Sequence, residues 1–174
     1  MNYLRKNKKT GFTLMELLVV IAVIGILSGV VLQSLGSARE KSWNASRLSN
    51  IDQIDKAIQV YFTRNSISTF PTTAGWECIG LTTGQCWGTL NPATNLNAAL
   101  TGNIAGIPDD PSLAPGVIGG YYLYNSNYST TTPGWDSPGA YLRWITKDTG
   151  SCGRGKLYSG ASGGFKGCAL YLGK

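Results

Sequence analysis

Residues 11–38 read GFTLMELLVVIAVIGILSGVVLQSLGSA, and Glu16 is the sole formal charge among them. As an α-helix, the uncharged stretch 17–35 would span about 28 Å, close to the ~30 Å hydrocarbon core of a bilayer. A helix in a soluble core rarely stays apolar on every side for so long, so the stretch reads as a membrane segment. Arg5, Lys6, Lys8 and Lys9 precede it, and no acid stands among the first eleven residues. By the positive-inside rule these cations keep the N-terminus cytoplasmic, so everything after residue 38 faces outward.

Helical periodicity continues beyond the apolar run. From Glu40 to Arg64 apolar residues fall at Leu48, Ile51, Ile54, Ile58, Tyr61 and Phe62, alternating steps of three and four. That spacing predicts one buried stripe, with Arg47, Asp52, Gln53, Lys56, Gln59 and Arg64 on the solvated side. No Pro or Gly interrupts 37–64, and Asn65, Ser66 and Pro71 supply stop signals. One helix of about fifty residues is expected, half in lipid and half packed on a domain.

After residue 66 the composition shifts. Nineteen of the 23 Gly and all seven Pro lie there, among Thr, Ser and Asn, the punctuation of many turns. Strand-like runs occur at Gly120–Tyr124, Ala140–Thr146, Lys156–Ser159 and Cys168–Leu172. The stretch 72–117 lacks periodicity and reads as a structured loop region with one short helix near Leu96–Leu100. The fold class expected is therefore α+β: a long N-terminal helix packed on a small antiparallel sheet.

The 174 residues hold no His, which removes His-based triads and His-ligated zinc. The nine acids are scattered, and no Ser has a His base. Nothing marks an enzyme or a cofactor site.

Glu16 and its neighbours need a joint explanation. A secretory signal peptide has a shorter apolar region, ~7–15 residues, and no acid in it. A plain anchor leaves Glu16 unexplained, because an acid inside the membrane costs about 2.5–3.5 kcal/mol. A cut after Gly11 would supply a cationic partner, the α-amino group of Phe12, one helical turn away. Between neighbouring helices the same pair would fix axial register, since a mismatch leaves a charge unpaired in lipid.

The run Gly11-Phe12-Thr13-Leu14-Met15-Glu16, with its basic leader and apolar continuation, strongly resembles the N-terminus of type IV pilins and type II secretion pseudopilins. The resemblance implies that a prepilin peptidase cuts after Gly11 and methylates Phe12. It implies a leader at 1–11, a membrane and filament-core helix at 12–38, and an extracytoplasmic domain at 39–174. One departure is the lack of the Pro that many type IV pilins carry in this helix; Gly25, Gly29 and Gly36 stand there instead. Gly25-x-x-x-Gly29 offers a close-packing face between helices.

Cys78, Cys86, Cys152 and Cys168 do not have zinc spacing and lie on the oxidising side of the membrane. Of three pairings, 78–86 with 152–168 is the simplest, and the resemblance adds that many type IV pilins carry a C-terminal disulfide loop like 152–168. Within that loop Arg154, Lys156 and Lys166 could contact DNA backbone or another anion. Gly150–Lys156 imitates a phosphate loop, but Leu157 stands where Ser or Thr would hold magnesium. Ile107-Pro108-Asp109-Asp110-Pro111, before Tyr121-Tyr122-Leu123-Tyr124, resembles a stretch of the major pseudopilins. Asp109 and Asp110 are two candidate calcium carboxylates whose companion ligands are not evident.

Together these features predict a body subunit of a type IV pilus-like filament, made in the inner membrane and displayed at the cell surface. Its expected partners are copies of itself, prepilin peptidase, the inner-membrane assembly machinery and, before assembly, membrane lipid. A type II secretion pseudopilin and an anchored module binding DNA or a surface ligand are the alternatives. The +6 formal charge falls to 11 basic against 9 acidic residues once the leader is removed, so most of it is an orientation signal.

Overall fold

The computed structural model describes residues 11–81, 86, 90–108, 110, 122–128, 137–147, 150–159 and 164–173. Helix α1 runs Leu14–Asn65, 52 residues, in keeping with the periodicity. It is followed by β1 (Glu77–Cys78), α2 (Thr94–Leu100), β2 (Leu123–Tyr128), β3 (Gly139–Lys147), β4 (Lys156–Ser159) and β5 (Phe165–Gly173). The strands form one antiparallel sheet in the order β1-β2-β3-β5-β4. This is the α+β, pilin-like architecture that the patterning predicts.

The chain divides into two compact units, Met1–Arg39 and Glu40–Lys174. Every described residue of the first, Gly11–Arg39, is exposed. Its apolar run makes α1 long and apolar enough to cross a membrane by length and composition. Two of its hydroxyls are satisfied within the helix: Ser28 Oγ donates to the Ile24 carbonyl at 2.7 Å and Ser37 Oγ to the Ser34 carbonyl at 3.0 Å. Such back-bonding lets small polar side chains enter an apolar medium without orphaned groups.

In the second unit α1 buries Arg47, Ile51, Ile54, Ala57 and Ile58. The apolar members of this stripe meet Leu96 and Leu100 of α2, Tyr122 and Tyr124, and Leu142, Trp144 and Cys168 of β3 and β5. Strand β3 accounts for its half of that core by alternation. Leu142, Trp144 and Thr146 face α1, whereas Arg143 and Ile145 point the other way and are only half-buried. Asparagine and tyrosine close the top of the core, with Asn50 Nδ2 donating to Tyr122 Oη at 2.9 Å.

Four details differ from the sequence expectation. Arg47, assigned to the solvated face, is 1% exposed; its buried position rests on a partner 63 residues away, which local periodicity cannot reveal. The 72–117 stretch contains β1, a two-residue strand in which the Cys78 N–H donates to the Asn91 carbonyl and the Cys78 carbonyl accepts from the Ala93 N–H. The run expected at Gly120–Tyr124 is displaced: β2 spans Leu123–Tyr128, and Gly120 and Tyr121 lie outside the described residues. Helix α2 begins at Thr94, two residues before Leu96.

The link from β3 to β4 must cross β5, because β5 lies between them in the sheet. It crosses on the α1 side. Gly153 adopts φ +55, and a Cβ there would come within 2.9 Å of Leu48 Cδ2. At Gly155 a Cβ would collide with the Trp144 ring. The glycines that imitate a phosphate loop are therefore packing glycines, which let a backbone lie flat beneath a helix.

Candidate functional site

The segment that carries the family resemblance begins where α1 begins. Thr13 precedes Leu14, the first helical residue, and Glu16 is the third. Thr13 Oγ1 accepts the Glu16 backbone N–H at 3.3 Å, and the Glu16 carboxylate accepts the Thr13 backbone N–H and hydroxyl, each at 2.9 Å. This reciprocal pair is a capping box, satisfying donors that a helix start otherwise leaves open. The negative carboxylate also lies at the positive end of the helix dipole. The Thr-x-x-Glu spacing is the local sequence signal of such a box. Gly11, Phe12 and Glu16 all stay exposed, as do Gly25 and Gly29, around whose Cβ positions the chain leaves open space.

In the second unit, Cys78 is bonded to Cys86 and Cys152 to Cys168. Cys168 is fully buried in the core, so the second disulfide ties the β3–β4 crossover to the middle of β5. The end of β3 and the crossover are also tied to α1. Lys147 Nζ donates to Glu40 at 2.7 Å, Thr146 Oγ1 to Asn44 Oδ1 at 2.7 Å, and Arg154 to Asp52 and Asp55 at 2.7 and 2.8 Å. Residues 40, 44, 48, 52 and 55 form a helical stripe beside the apolar one, and it is this stripe that receives the crossover.

These contacts answer the expectation of an anion-binding loop. Arg154 is engaged by two carboxylates of its own chain, with Asp55 and then Asp52 holding its guanidinium above the ordinary range. Lys156 and Lys166 do not cluster with each other. Lys156 pairs in register with Ala169, three residues along β5 from Lys166, or about 10 Å. No convergent cationic surface results among the described residues.

Asp110 is likewise committed. Its carboxylate accepts from Arg47 Nε at 2.7 Å, and both side chains are 1% exposed. Burial pushes the Asp110 carboxyl up to about 6, against the pull of the Arg47 guanidinium. Asp109 lies outside the described residues. Among the described residues no group of three or more His, Cys, Asp or Glu side chains is placed to hold a metal ion.

Comparison with known proteins points back to the N-terminus. A family profile described as the prokaryotic N-terminal methylation motif matches residues 6–32. The type II secretion system core protein G of Vibrio cholerae is 35% identical over 69 residues, 40% of this chain and 46% of that protein. That of Escherichia coli K12 is 36% identical over 67 residues, 38% and 45% of the two chains. The Pectobacterium carotovorum protein is 30% identical over 104 residues, 60% of this chain and 62% of its own. The chain spans about half the length of the curated relatives it matches. No solved structure matches. The methylation motif at residues 6–32 and the partial similarity to type II secretion core protein G both support the resemblance to type IV pilins and pseudopilins.

Proposed function

We propose that this protein is a pseudopilin: a structural subunit of the periplasmic, pilus-like filament of a type II secretion system. In this reading residues 1–11 are a leader removed by prepilin peptidase, and Phe12 becomes the methylated N-terminus. Residues 12–38 hold the precursor in the inner membrane and later form the filament core, and 39–174 form its coat. The observation that carries the reading is the similarity to core protein G, together with the methylation motif at residues 6–32. It favours a secretion pseudopilus over the surface-displayed pilus that the sequence first suggests.

The chemistry of the first unit supports the same reading. Its exposed apolar side chains, including Leu17, Val20, Ile24, Leu27 and Val31, need either lipid or neighbouring helices around them. Glu16 is the registry element: its carboxylate is local to the helix start, and an incoming Phe12 amine would add the charge it lacks. A type IV pilus subunit is the second reading, favoured by the Cys152–Cys168 loop at the C-terminus. DNA or surface-ligand binding loses its footing with Arg154 paired internally.

Mass spectrometry of the mature N-terminus tests processing. N-methylated Phe12 supports the proposal, and an intact leader overturns it. Deleting the gene then separates the two filaments: loss of protein secretion supports the pseudopilus, whereas loss of sheared surface filaments with secretion intact supports the pilus.

A further inference from the structure

A groove of about 420 Å³ lies within the second unit, between the last turns of α1, the segment after Phe70, and α2. It is lined by Tyr61, Pro71, Thr72, Asn95, Ala98 and Ala99. That volume falls in the roughly 300–1,000 Å³ range of small-molecule sites. The filament role gives these residues no task.

The walls of the groove are held in place by bonds behind them. Tyr124 Oη donates to the Pro71 carbonyl at 2.9 Å, and the Thr73 backbone N–H donates to Ser126 Oγ at 2.9 Å. These bonds fasten the 71–73 segment to β2. On the other side Asn95 Nδ2 donates to the Thr72 carbonyl at 2.8 Å, which fastens α2 to the same segment. Ala98 and Ala99 follow Asn95 by three and four residues, so the helical repeat puts all three on one face.

Two polar atoms at this junction complement one another. With Nδ2 committed to Thr72, Asn95 keeps Oδ1 as an acceptor that no donor reaches among the described residues. The Thr72 hydroxyl accepts from Asn95 Nδ2 at 3.4 Å, so its own proton is left to donate. An acceptor beside a donor matches a secondary amide, which brings one N–H and one carbonyl. Ala98 and Ala99 add small methyl surfaces, and the Tyr61 ring adds a face whose quadrupole attracts C–H groups. Peptide grooves rely on an open strand edge, a broad apolar trough, an aromatic track or an arginine cluster. This lining has a single aromatic ring, no strand and no charge.

We propose that the groove binds an acetamido sugar unit of a glycan strand. The acetamido N–H donates to Asn95 Oδ1, and its carbonyl accepts from the Thr72 hydroxyl. The acetyl methyl rests against the alanines, and the C–H face of the sugar ring against Tyr61. The inference stands apart from the choice of filament, since it uses only residues of the second unit.

NMR titration of the full chain in phosphocholine micelles tests this. The probe is the N-acetylglucosamine trimer, and the comparison is cellotriose, which has the same linkage without acetamido groups. The trimer is expected to give saturable shifts at the Asn95 side-chain amide and the Ala98 methyl. Cellotriose should bind at least about tenfold more weakly. Thr72→Val keeps the shape of the wall without the hydroxyl and should weaken trimer binding about tenfold. Ala98→Trp fills the groove from an exposed helix position and should abolish binding, while the signals of buried Leu142 and Trp144 stay native. Absence of a saturable shift at Asn95, equal affinity for cellotriose, or unimpaired binding in either variant overturns the proposal.

Discussion

Arg47 and Asp110 form an ion pair at 2.7 Å with both side chains 1% exposed, joining α1 to a loop 63 residues away. Each charge is tolerable in the interior because the other is present. Arg47→Met should leave the Asp110 carboxylate uncompensated and cost about 3–5 kcal/mol at pH 7. The loss should shrink in acid as the carboxyl takes up its proton. Urea unfolding at pH 7 and pH 4 measures both effects.

The pH dependence of the unmodified protein has a definite sign at this site. The Asp110 carboxyl is raised from 3.8 to about 6, chiefly by burial. Between those values the folded state holds more protons than the unfolded state, so stability from this group is full below the lower value. It falls as pH rises through the upper one. Asp110→Asn should flatten the stability profile across that window; an unchanged slope would show that another group sets it.

Glu16→Ala removes both halves of the carboxylate's work, its cap on Thr13 and its proposed registry role. Membrane insertion should persist, because the apolar run is untouched, while filament yield should fall by at least about tenfold, the equivalent of ~1.4 kcal/mol. Thr13→Ala should weaken the helix start alone, by about 1 kcal/mol. Fractionation of membranes and filaments compares the two; normal filament yield in the Glu16 variant would sink the registry role.

Two adjacent substitutions in the crossover should behave very differently. Arg154→Ala removes an exposed ion-pair triad and should cost under about 1 kcal/mol, with the effect fading in salt. Gly155→Ala drives a methyl group into the Trp144 ring and should cost about 1–3 kcal/mol independent of salt. Thermal unfolding at low and high ionic strength discriminates them.

Replacing Cys152 and Cys168 with Ser opens a loop of sequence separation 16 and should cost roughly 3 kcal/mol. The Cys78 and Cys86 loop has a separation of 8, and its removal should cost slightly less, roughly 2.5 kcal/mol. Denaturant midpoints of the two double variants under non-reducing conditions check the ranking.

Much of this molecule was legible in the sequence because its main signals are periodic or local. The apolar run, the stripe through Ile51, Ile54 and Ile58, and the alternation of β3 each need only a few consecutive residues to be read. What escaped depends on distant chain segments. Arg47 looks solvated until Asp110 is brought to it, and Arg154 looks available until Asp52 and Asp55 take it. Gly155 looks like a flexible hinge until Trp144 is found beneath it. The capping box is a local signal too, carried by the Thr13-x-x-Glu16 spacing alone.

That capping box has a consequence for maturation. Among the described residues, the atoms that close the start of α1 belong to Thr13 and Glu16, downstream of the peptide bond between Gly11 and Phe12. Under the proposed cleavage, both partners of this cap would stay with the mature subunit, which would inherit its helix end already finished.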